Sequence, residues 1–65
     1  MNDRHKAIIL AMADCDLQIS KTARKLYCNR NTIIYHLQKI KVETGLDPEK
    51  FWDLCKLVEI AREEK

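Results

Sequence analysis

Apolar residues along this chain recur at helical rather than strand spacing, and four segments carry the pattern. The first predicted helix runs from about Asp3 to Asp14, with Asn2 or Asp3 as its N-cap. Ile8, Met12 and Cys15 share one face of it while Ile9 and Leu10 point elsewhere, so it is apolar over more than one stripe. Ser20 is expected to cap a short second helix, Lys21–Leu26, burying Thr22, Ala23 and Leu26. Asn29 opens a third helix that reaches about Glu43. Near 100° per residue, Ile33, Leu37 and Ile40 fall within an arc of about 60°, with Asn31, Tyr35 and Gln38 on the opposite side. Gly45 sits where a left-handed C-cap belongs, and Leu46 is placed for the accompanying apolar contact. Asp47 followed by Pro48 reads as N-cap and first residue of a fourth helix, which carries Phe51, Leu54, Cys55, Val58 and Ala61 toward the core. The expected fold class is therefore all-α: a small bundle of about four short helices, one domain over residues 1–65.

Within that bundle, residues 19 to 41 have the form of a helix-turn-helix. Ala23 is small where two helices must cross closely, and Leu26, Ile33 and Leu37 pin the second of them against the first. A tight turn at Tyr27-Cys28 lets the third helix project its N-terminal end, the end that enters a major groove in such folds. Asn29, Arg30 and Asn31 stand there with hydrogen-bonding side chains, and a helix N-terminus itself favours phosphate.

Charge sharpens this reading through its distribution. The net charge is only +2, yet Leu17 to Val42 holds six basic residues (Lys21, Arg24, Lys25, Arg30, Lys39, Lys41) and no acidic one. The segments on either side are mildly acidic, which makes the molecule polarised and its middle attractive to phosphate. With 65 residues there is little material for a walled catalytic pocket, and no nucleophile–base or paired-carboxylate arrangement is evident, so an enzyme is not expected. Cys15, Cys28 and Cys55 form no CxxC pair and read as free thiols in a reducing cytoplasm rather than a disulfide framework or a metal site. No cofactor, metal or small-molecule site is expected. The longest apolar run, Ala7–Ala13, is about a third of a membrane span. Its flanks faintly mimic a secretory signal, but cleavage there removes the first helix of a coherent domain.

The run Arg30-Asn31-Thr32-Ile33-Ile34-Tyr35-His36-Leu37-Gln38-Lys39-Ile40, followed by Thr44-Gly45-Leu46-Asp47, resembles the C-terminal helix-turn-helix of PucR/CdaR-type regulators, relatives of the Fis and NtrC DNA-binding domains. The upstream Ile19-Ser20-Lys21-Thr22-Ala23-Arg24-Lys25-Leu26 fits as well. The resemblance implies sequence-specific binding of double-stranded DNA by a transcription regulator acting as a homodimer. It places Asn29, Arg30, Asn31, Thr32 and Tyr35 at or near DNA, and Lys21, Gln38 and Lys39 complete the expected contact set. The chain departs from the family where Ile34 and His36 replace frequent arginines, where Cys15-Asp16 replaces Asn-Gly, and where Tyr27 stands at a turn position often held by Gly.

Four apolar residues, Ile9, Leu10, Trp52 and Ile60, are left over from the predicted core and are the expected homodimer interface. The rival to DNA binding is a protein-interaction module that pairs with another regulator without touching DNA, favoured by the low net charge and by Ile34.

Overall fold

The computed structural model describes residues 1–63, so the last two residues of the expected domain lie outside the described residues. Four helices follow one another: α1 (Asp3–Asp14), α2 (Ile19–Lys25), α3 (Arg30–Thr44) and α4 (Phe51–Glu63). Asn2 caps α1, its side-chain oxygen accepting from the His5 N–H at 2.8 Å. α2 begins two residues before the sequence predicts. Its N-cap is Gln18, which makes no side-chain cap bond, and Ser20 lies inside the first turn. The half-buried Ile19 packs against the core, and its burial sets the start of the helix in place of a capping hydroxyl. α4 begins three residues after Pro48, the residue expected to open it. Asp47 accepts from the Glu49 N–H through its side chain (2.9 Å) and from the Lys50 N–H through its carbonyl (3.0 Å), closing a separate turn. Pro48 is buried in that turn, and the helical ladder starts with the Leu54 N–H donating to the Lys50 carbonyl at 2.8 Å.

Three helices end on a residue in left-handed conformation, and only one of those residues is glycine. Gly45 closes α3 at φ 74°, its N–H donating to the Lys41 carbonyl at 2.9 Å. Asp16 (φ 54°) follows α1, where the Leu17 N–H donates back to the Met12 carbonyl at 2.9 Å. Tyr27 (φ 56°) follows α2, with its own N–H bonded to the Arg24 carbonyl (3.2 Å) and the Cys28 N–H to the Ala23 carbonyl (2.9 Å). The Leu17-to-Met12 and Cys28-to-Ala23 bonds are the 6→1 closures that satisfy otherwise orphaned carbonyls at a helix end. Leu17 is left-handed as well, at φ 62°. The turn positions at Cys15-Asp16 and Tyr27 thus keep the backbone shape that glycine adopts freely, in residues for which it is costly.

α1 is the shared wall of the bundle. α2, α3 and α4 all pack on it, and the backbone of α4 stays farther from the other two, no Cα of α4 coming within 8 Å of α2 or α3 among the described residues. Being covered from several directions, α1 needs more than one apolar stripe, and Ile8, Ile9 and Met12 are all at most 2% exposed. This corrects the expected homodimer interface: Ile9, at 0% exposure, belongs to the chain's own core. Leu10, Trp52 and Ile60 remain exposed. The α4 face differs as well. Leu54, Leu57 and Ala61 are buried against α1, whereas Phe51, expected in the core, is 57% exposed, and Cys55 and Val58 are half-buried at the flank. Leu57, which the sequence pattern passes over, is fully buried. Thr22 is a buried hydroxyl whose proton goes to the Gln18 carbonyl at 2.9 Å, so its burial leaves no unmade bond. No described helix is long and apolar enough to cross a membrane.

Candidate nucleic-acid interface

The start of α3 is fixed by one asparagine. Asn29 is extended (φ −93°, ψ 165°), and its side-chain oxygen accepts both from the Thr32 N–H at 2.8 Å and from the Thr32 hydroxyl at 3.1 Å. Both side chains are thereby engaged in holding the helix end. Ile33, Leu37 and Ile40, each at most 2% exposed, hold the opposite face of α3 in the core. What projects from the first turn is Arg30 and Asn31, both exposed and, among the described residues, with neither side chain in a hydrogen bond or ion pair.

One turn further along the same face comes Tyr35, 56% exposed. Its ring meets the edge of His36 (centroids 5.2 Å apart), and the Lys39 ammonium lies 5.3 Å from its centre. Asn31, Tyr35 and Lys39 follow at i, i+4 and i+8, and so form one row on the helix surface, with Gln38 exposed beside it. Lys21 is exposed in the first turn of α2. The basic run of the sequence is partly neutralised by the fold, since Lys25 stands 3.8 Å from Asp14 and Lys41 3.7 Å from Asp47. Lys21, Arg24, Arg30 and Lys39 have no ion pair among the described residues. Arg24 is an exposed cation of the helix-turn-helix that the predicted contact set omits, and its signal was the acid-free basic run itself.

Behind the presented face, α1 and α3 are joined by an unexpected polar cluster. His5 is 3% exposed; its Nε2 lies 3.3 Å from Nδ1 of His36, and its Nδ1 lies 3.8 Å from a Glu43 carboxylate oxygen with no hydrogen bond. One ring of the pair must donate while the other accepts, so the contact requires a neutral acceptor nitrogen. The His36 pKa lies below the ordinary histidine value, chiefly because of partial burial and then because of Arg4, His5 and Lys39. The cysteines are free and half-buried.

Two short helices joined by a tight turn, the second held by one face and presenting the other, define a helix-turn-helix domain, the class of fold that sets a helix against DNA. Within that class the chain matches the PucR C-terminal helix-turn-helix domain over residues 7–59 and belongs to that family. No curated protein and no solved structure matches it.

Proposed function

We propose that this domain binds double-stranded DNA sequence-specifically, as part of transcription regulation in the cytoplasm, by inserting the N-terminal end of α3 into the major groove. The observation that carries this reading is the pairing of an anchored helix start with two unengaged side chains, Arg30 and Asn31, in its first exposed turn. Arg30 reads a base edge through its fork of donors, and Asn31 and Tyr35 extend the contact along the groove. Lys21, Arg24 and Lys39 meet phosphates, while Asn29 and Thr32 keep the helix end in register, their remaining donor and acceptor capacity facing the backbone. Two copies occupy half-sites about one helical turn apart. No catalytic step is involved.

The test is titration of the parent, Arg30→Ala and Lys39→Ala against a duplex selected from a random pool and a scrambled one, at two salt concentrations. Losing a bidentate base contact costs about 1–3 kcal/mol, so folded Arg30→Ala binds the selected duplex about tenfold or more weakly and discriminates less. Lys39→Ala loses affinity modestly and equally for both duplexes. The three cations that meet phosphates, Lys21, Arg24 and Lys39, give a slope of log affinity against log salt of about −2.7 per copy. Lys25 and Lys41 add to it only by releasing Asp14 and Asp47. Unchanged affinity of Arg30→Ala refutes the reading surface. Absence of any salt-sensitive binding by the parent moves the domain to the protein-pairing class.

A further inference from the structure

We infer that the outer side of α4 and the groove beside it form the seat of a second copy of this chain. Phe51 and Trp52 are 57% and 76% exposed, and they stack edge to face with centroids 5.0 Å apart. Two large apolar surfaces thus face water at the start of α4. Next to them, between the end of α1 and α4, runs an open apolar groove of about 340 Å³ whose walls include Ala13, Leu17, Cys55 and Val58, with Phe51 at its edge. That volume is at the small end for a ligand pocket (about 300–1,000 Å³) and suits an inserted side chain. A projecting aromatic and a receiving groove on one face are the requirement for an isologous pair, in which each copy's Trp52 enters the other's groove.

Charge agrees with that occupant. The groove carries Asp16 and Glu59, and Lys56 lies on α4 at i+4 from Trp52, hence on the same side of the helix. Inserting Trp52 brings its Lys56 to the acidic groove of the other copy, and the exchange is reciprocal. Area sets the strength. An aromatic side chain covers on the order of 200 Å², so Phe51 and Trp52 together leave about 270 Å² exposed per copy. Doubled, and with the groove walls they cover, the contact buries about 1,000 Å², just below the roughly 1,200–2,000 Å² of stable complexes. Free association is therefore weak, and it tightens where two DNA half-sites hold two copies close together. The backbone of α4 comes within 8 Å of neither α2 nor α3 among the described residues, so covering α4 leaves the first turn of α3 open.

The face itself is independent of the DNA reading; only its tightening on DNA rests on it. The test begins without DNA: sedimentation from about 10 µM to about 1 mM, the range between a weak contact and its tethered equivalent, with emission of the single tryptophan recorded in parallel. The expected result is a reversible monomer–dimer equilibrium in which Trp52 emission shifts to the blue as the dimer forms. Trp52→Glu and Phe51→Glu, both at exposed positions and checked for folding by circular dichroism, remain monomeric throughout. Val42→Glu, at an apolar residue 85% exposed on α3, is the control and dimerises like the parent. A monomeric parent with constant emission overturns the proposal and leaves the face to a different protein. Equal loss of association in Val42→Glu, or none in Trp52→Glu, overturns the assignment of the face. If the parent dimerises but binds no duplex, the DNA reading fails and this one stands.

Discussion

Tyr27→Gly should stabilise this domain. Tyr27 is held at φ 56° by the two backbone bonds that close α2, and its side chain is 97% exposed, so deleting it removes almost no packing. A left-handed conformation costs an L-residue about 1–2 kcal/mol that glycine does not incur. Against this, glycine loses about 0.5–1 kcal/mol more conformational entropy on folding. The net expectation is a gain of about 0.5–1 kcal/mol, or a Tm rise of about 2–8 °C for a domain of this size. Tyr27→Ala separates the two causes, because it deletes the same exposed ring and keeps the strained φ; its stability stays within about 0.5 kcal/mol of the parent. The neighbouring left-handed residues give an ordering. Asp16→Gly gains less than Tyr27→Gly, since aspartate tolerates this region better, and Leu17→Gly loses stability because Leu17 packs against the core. Thermal unfolding followed by circular dichroism, with denaturant midpoints at unchanged m, measures all four. A glycine variant no more stable than the alanine one refutes the claim that φ, rather than the side chain, carries the cost.

Ile9→Ala, at a fully buried position, should cost about 2–5 kcal/mol, enough to lower Tm by more than about 10 °C or to unfold so small a domain, while Leu10→Ala at the partly exposed neighbour changes little. In Gly45→Ala the added methyl meets nothing within 4 Å, so the cost is that of φ 74° alone, about 1 kcal/mol, read as a shifted denaturant midpoint. Because the His36 pKa is lowered in the fold, the unfolded chain takes up that proton first as pH falls; stability is complete above the ordinary value of 6.5 and declines below it toward the folded value. His36→Gln should flatten that decline in unfolding midpoints measured across it.

Most of the helical frame was legible because each helix carries its own local signals. Asn29, Gly45 and the Ile33–Leu37–Ile40 stripe mark the beginning, end and inner face of α3 by hydrogen-bond and periodicity rules that need no knowledge of neighbours. The errors fell where tertiary packing overrode a local preference. Ser20 is a better cap than Gln18 in isolation, but starting at Ile19 brings that side chain against the core. Asp47-Pro48 has the chemistry of a helix start, yet Asp47 closes a turn of its own and Pro48 is buried. Ile9 is surplus to a single apolar stripe, yet α1 is covered from more than one side and uses it. His5 gave no periodic signal, since its burial depends on His36, a residue 31 positions away.

The candidate interface was legible in the same uneven way. Sequence rules place Asn29, Arg30, Asn31 and Thr32 together at a helix start but cannot divide the work among them. Hydrogen-bond accounting makes that division. An asparagine oxygen that accepts from both the Thr32 N–H and the Thr32 hydroxyl can turn to a base only by releasing the cap, which is worth about 1 kcal/mol. Arg30 and Asn31 give up no internal bond when they meet a partner. The same accounting applies to charge. Lys25 and Lys41 must each leave a carboxylate before meeting phosphate, although the exposed Lys25 pair is a weak restraint. The contact residues therefore rank by what each side chain must first release, with Arg30 and Asn31 ahead of the residues that hold them in place.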